Sequence, residues 1–72
     1  MTLDAGSLEP IEEAFARRLP ATLSILLEGM AVQLERLGDP RSEKLRLAAS
    51  TAYGQRVDEA RALFDAALAA GA

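Results

Sequence analysis

Residues 8–37 read LEPIEEAFARRLPATLSILLEGMAVQLERL, and within them Leu8, Ile11, Phe15, Leu19, Leu23, Leu26, Met30, Leu34 and Leu37 recur at spacings of three or four. That is the period of one face of an α-helix. The stripe crosses Pro20 without losing phase. Proline inside a helix removes one hydrogen bond and presses on the carbonyl four residues back, here that of Ala16, at a cost of about 3 kcal/mol. Two readings follow: one arm kinked between residues 16 and 20, or a helix over 8–19 followed by a second starting at Pro20 and running to 37.

Gly38, Asp39 and Pro40 come next, and they form a turn in which each residue has a separate physical role. Glycine ends a helix in the left-handed conformation, aspartate caps the next, and proline suits its first position. A second arm over 41–70 then places Leu45, Ala49, Ala52, Tyr53, Val57, Ala60, Phe64, Ala67 and Leu68 on one broad face. The two arms are equally long, about 45 Å each if straight at 1.5 Å per residue. Their equality predicts an all-α fold, either an antiparallel helical hairpin or a three-helix bundle in which the N-terminal segment folds back. Residues 1–7 lack periodicity and read as a flexible lead ending at a cap on Ser7, ahead of a single helical domain over 8–72.

Composition agrees with the periodicity. Of the 72 residues, fifteen are alanine and twelve leucine, whereas Phe15, Tyr53 and Phe64 are the only aromatics. Alanine and leucine lead the helix-propensity scale, and strand-forming β-branched and aromatic residues are scarce. A chain this short buries only about 60% of its unfolded surface, and with neither cysteine nor histidine it gains nothing from disulfides or from the usual structural zinc site. Oligomerisation or binding to another chain remains as the source of further burial.

The formal charge of −3 disfavours nucleic acid, although seven of the eight basic residues are arginine. The most apolar run, Leu19 to Leu34, is shorter than the roughly 20 residues of a membrane span and is interrupted by Glu28 and Gly29. No basic segment precedes an apolar core at the N-terminus, so the expected location is cytoplasmic. Catalysis has little to work with: the commonest general base and the strongest nucleophile are missing, leaving no catalytic residues to assign and an expectation that the chain is not an enzyme. Glu9, Glu12 and Glu13 share one helical turn, where acidic side chains complement the helix dipole, so neither a metal nor a cofactor is expected. Arg36, Arg41 and Lys44 gather at the turn as a solvated charged cluster.

Function therefore has to be read from the apolar surface. Leu23, Leu26, Met30 and Leu34 are assigned to the intramolecular seam. On a different side of the same helix lie Ile25, Gly29 and Val32, again at spacings of four and three, and one hairpin partner cannot cover both sides. These three, with Phe64 facing them from the same or another chain, form the expected partner-binding set. The partner is another protein or a second copy of the chain, and the role that of an adaptor, co-chaperone or assembly subunit. A homo-oligomeric structural subunit and a small helical nucleic-acid regulator are the alternatives.

Two resemblances bear on this reading. Ala48, Tyr53-Gly54-Gln55-Arg56-Val57-Asp58-Glu59-Ala60, Phe64 and Ala67 resemble part of a tetratricopeptide repeat, which joins two helices through such a turn; the first arm does not repeat the pattern. In size and architecture, with two arms joined at Gly38-Asp39, the chain resembles the YscE-like co-chaperones of bacterial type III secretion. The glutamine-rich opening of that family's second helix is not matched by Arg41 to Leu47. This second resemblance implies that the apolar faces of the arms bind a larger, tetratricopeptide-like chaperone.

Overall fold

The computed structural model describes residues 5–70, with side chains from Leu8 onward. They form four helices: α1 (Ala5–Ala16), α2 (Pro20–Arg36), α3 (Arg41–Tyr53) and α4 (Val57–Ala70). No strand occurs among the described residues. The body measures 28 × 22 × 18 Å, too short for a straight arm of about 45 Å. The first arm is broken, with a second helix starting at Pro20 as one of the two readings has it; the second arm, expected to be continuous over 41–70, is broken as well, so the all-α fold is built of four helices. Residues 1–4 of the expected lead lie outside the described residues, while Ala5, Gly6 and Ser7 belong to α1, so that helix starts ahead of the expected cap.

All three breaks have the same backbone chemistry. At the end of α1 the Arg18 N–H donates to the Phe15 carbonyl and the Leu19 N–H to that of Ala14, both at 3.1 Å. After α2, Gly38 donates to Glu35 at 3.0 Å and Asp39 to Leu34 at 2.9 Å; after α3, Gln55 donates to Ala52 at 2.9 Å and Arg56 to Thr51 at 3.1 Å. Each pair is a Schellman motif, with the residue after the cap in the left-handed region. Those residues are Arg18 (φ 50°), Gly38 (φ 71°) and Gln55 (φ 67°). Leu19 and Arg56 then serve the following helix, their carbonyls accepting from Leu23 and Ala60 at 2.9 Å. One residue thus closes a helix and opens the next, which makes the turns short and the reversals sharp.

Pro20 is the first residue of α2, where its missing N–H costs nothing. Gly54, the one glycine within 41–70, has an ordinary φ of −77°, and the left-handed position falls to Gln55. The reversal at this point separates Tyr53 from the face it shared with Val57 and Phe64 in the sequence reading. Tyr53 is 76% exposed, whereas Val57 and Phe64 are buried.

A single core fills the space between the helices. Leu23, Leu27 and Leu34 of α2, Leu45, Ala48 and Ala52 of α3, and Ala60 and Phe64 of α4 are wholly buried. The alanines let α3 approach α2 on one side and α4 on the other, and these are the most extensive helix contacts. Helix α1 closes the assembly with Ile11, Ala14 and Phe15. The Phe15 ring lies 5.5 Å from that of Phe64, tilted by 43°, a favoured aromatic geometry. Arg61 of α4 sits 5.0 Å above the Phe15 ring while its Nη1 donates to Glu12 of α1 at 2.7 Å. Arg18 adds a second tie to α4, reaching Asp58 at 3.0 Å.

The α2–α3 turn is held by Asp39. Its Oδ1 accepts from the Arg41 backbone N–H at 2.9 Å, and its Oδ2 from Arg41 Nε at 2.9 Å. Hydrogen bonding from the Arg41 side chain, then from its backbone, holds the Asp39 carboxyl below the usual aspartate range. A carboxyl whose folded value is depressed stabilises the fold above its unfolded value and loses that contribution as pH falls through the folded one.

Two outcomes follow. Replacing Gln55 by glycine relieves a left-handed non-glycine residue and should stabilise the chain by about 0.5–1 kcal/mol in urea denaturation, whereas Gly54→Ala should be tolerated. In acid, the wild type should lose melting temperature as pH drops below about 4, and Asp39→Asn should flatten that dependence, as followed by circular dichroism.

Candidate functional site

The side of α2 that faces the core carries Leu23, Leu27, Met30, Ala31 and Leu34, all buried. Of the expected seam, Leu23, Met30 and Leu34 lie here and Leu26 packs half-buried at its edge. Leu27 and Ala31, which the stripe of threes and fours skips, are core residues as well. Because α2 turns 100° per residue, Ile25 is carried to the opposite side, where it is 73% exposed. Gly29 is exposed beside it and Val32 half-buried one turn further on. Phe64 is not with them. It is wholly buried among the chain's own helices, so its assignment to the partner-binding set is corrected: the break at residues 54–56 folds α4 back on α3 and turns Phe64 inward.

Ile25 stands on a ridge between two grooves. Toward α1 the groove runs past Pro10, Ile11, Gly29 and Gln33. Toward α3 lies a larger open groove of about 590 Å³, bounded by Ile25 on one rim and by Tyr53 at one end. Ala21, Ser24, Ala49 and Ser50 form its low floor and walls, and Glu28 and Arg46 stand at the other end. Small side chains on two neighbouring helices leave the hollow; Ile25 and Tyr53, the two most exposed large apolar side chains among the described residues, stand above it.

Electrostatically the site carries one charge of each sign. Arg46 bonds Glu35 through Nε and Nη2. Hydrogen bonding to Glu35, then its charge, and more weakly the charge of Glu28 hold the Arg46 guanidinium above its usual value. Arg46 is therefore a permanent cation at the groove, and its Nη1 donors are not used by Glu35. Tyr53 and Glu28 were not assigned to the site from sequence, nor was Arg46. Their link to Ile25 depends on the α2–α3 register, which no spacing along one helix reveals.

Elsewhere several charged side chains are engaged within the fold. Glu12 is engaged by Arg61, Glu13 by Arg17 at 3.6 Å, and Arg41 by Asp39. No group of three acidic, histidine or cysteine side chains is placed to hold a metal among the described residues. No described helix is long and apolar enough to cross a membrane. No family model, curated protein or solved structure matches the chain.

Gly29 offers a direct probe of this face. A Cβ added there meets nothing within 4 Å, and glycine inside a helix costs about 1 kcal/mol relative to alanine. Gly29→Ala should therefore raise the stability of the dilute chain by up to that amount, read from the urea midpoint.

Proposed function

We propose that this chain is a non-catalytic protein–protein interaction module, an adaptor, co-chaperone or assembly subunit, that acts by burying the outer face of α2 and the adjoining groove of α3. The observation that supports the reading most directly is the exposure of Ile25 and Tyr53, at 73% and 76%, on the two sides of one groove. Scattered single apolar residues are ordinary on protein surfaces. Here two large ones flank a hollow with small walls, and polar or charged groups rim it, as in the core-and-rim pattern of protein interfaces. Fully burying a side chain such as isoleucine contributes about 1.5–3 kcal/mol, a large quantity beside the stability available to a single small core.

Helix burial of this kind needs no cofactor, and the chain's function in this reading is a contact rather than a reaction. The residues that carry it are Ile25 and Tyr53 as apolar anchors, Gly29 as a point of close approach, and Val32 as the continuation of the α2 face.

Native mass spectrometry of the chain isolated from its own cells under gentle conditions tests the reading. The wild type should run in a stoichiometric complex, either with a second protein or with itself. The double variant Ile25→Ser/Val32→Ser should run as the free 7.7 kDa chain with unchanged helical circular dichroism. A wild type that also runs free and folded overturns the proposal, as does a double variant that unfolds, since the face would then be core.

A further inference from the structure

Helix α1 is held in place by the rest of the fold more than by its own sequence. It has 12 residues, about the length at which an isolated helix is marginal in water. Pro10 lies past its first turn, where the absent N–H forfeits a bond to the Gly6 carbonyl and the ring presses on that carbonyl. The turn that joins α1 to α2 holds Arg18 in the left-handed region at φ 50°, a conformation that persists only while its surroundings impose it. Among the described residues of α1, Ile11, Ala14 and Phe15 are buried. Its packing on α2 is far less extensive than that of α3 on α2 or on α4.

Open grooves follow α1 on both sides. Toward α2, two hollows of about 320 and 310 Å³ pass Pro10 and Leu26. Toward α4, one of about 240 Å³ lies between Phe15 and Val57. The ties across to α4 are the Phe15–Phe64 ring contact and the ion pairs Arg61–Glu12 and Arg18–Asp58. Both ion pairs join exposed side chains, and exposed pairs contribute little to stability. What seats α1 is therefore chiefly the burial of two large apolar side chains, Ile11 and Phe15.

We infer that α1 is a displaceable helix: it leaves a folded body of α2, α3 and α4, and the trough it vacates takes an amphipathic helix from another protein. The seated α1 gives the chemistry of that occupant. Its apolar side chains at 11, 14 and 15 follow the i, i+3, i+4 spacing of helix-in-groove recognition, and Glu12 accepts from Arg61 at 2.7 Å. A foreign helix with the same three apolar positions and an acid after the first fits the same surroundings: Leu26 and Met30 of α2, and Val57, Arg61 and Phe64 of α4. Tethered by the short turn, α1 competes at an effective concentration of about millimolar. The apparent affinity of the foreign helix is then reduced by the fraction of chains that are open, so α1 keeps the trough covered until a better-fitting helix arrives. This surface is separate from the α2–α3 groove, and either reading can fail without the other.

Hydrogen exchange followed by NMR on the wild-type chain tests the release. The α1 amides should exchange roughly tenfold or more faster than the slowest amides of α3, through openings that leave α3 protected. In the full-length variant Ile11→Ser/Phe15→Ser, α1 should lose its protection while α2, α3 and α4 keep theirs and still melt cooperatively. A peptide of residues 5–19 should bind that variant saturably and shift the resonances of Leu26, Met30, Val57 and Phe64. The same peptide carrying Phe15→Ser should bind about tenfold more weakly or worse, and one carrying Glu12→Arg several-fold more weakly. Exchange at one common rate in α1 and α3, or a double variant that unfolds throughout, overturns the displacement. A folded double variant that takes up no peptide, or binds the Phe15→Ser peptide equally well, overturns the docking site. So does one that doubles its mass in sedimentation equilibrium without taking up peptide, since the trough then belongs to a second copy.

Discussion

The structure depends on a backbone conformation used three times: a left-handed residue after a helix cap, with two hydrogen bonds running back into the helix. The motif satisfies two of the free carbonyls at the ends of α1, α2 and α3 and reverses the chain within a few residues. Glycine accepts the conformation without strain at position 38, but at 18 and 55 it is imposed on arginine and glutamine, against a preference of about 1–2 kcal/mol. Such residues persist where the surroundings determine them. On either side of the first turn lie Phe15 and Leu23, and on either side of the second lie Ala52 and Val57, all buried in the shared core. The core requires the turns, and the turns are held in strained conformations by the core.

This mutual dependence explains how much of the fold the sequence discloses. The reversal at 38–40 is legible because the residue in the left-handed position is glycine and the next two are an aspartate and a proline with their own roles. At Pro20 the same reversal is hidden. Proline is compatible both with a kink and with a first helical position, and the apolar stripe keeps its phase because α1 and α2 both face one core. At residues 54–56 the signal is displaced by one residue: Gly54 draws attention, but Gln55 supplies the left-handed conformation. Reading that arm as continuous puts Tyr53 in the core and makes Phe64 available to a partner; the reversal exchanges their surroundings.

The candidate site divides in the same way. Ile25, Gly29 and Val32 are recognisable from spacing alone, since helical periodicity fixes which residues of α2 share a side. Tyr53 and Arg46 join them only through the packing of α2 against α3, and Glu28 acquires meaning only once Arg46 is opposite. A pattern within one helix is local information. A groove between two helices depends on register, which is set by the length of the turn and by the small residues that let the helices approach.

What remains open on α2 follows from where the other helices had to go. Its inner side is filled by α3 and by the closing contact of α1, while α4 is held against α3 by the burial of Phe64 and is tied to α1 through Arg61 and Arg18. No described helix is left to lie across Ile25. On the proposed reading, burial of that side chain comes from outside the described fold, from a partner that binds the folded chain and not the unfolded one. By mass action such a partner raises the apparent stability of the fold. For a chain of this size, with two strained turns and neither cysteine nor histidine, the face that contributes least to the isolated fold becomes a source of added stability once it is occupied.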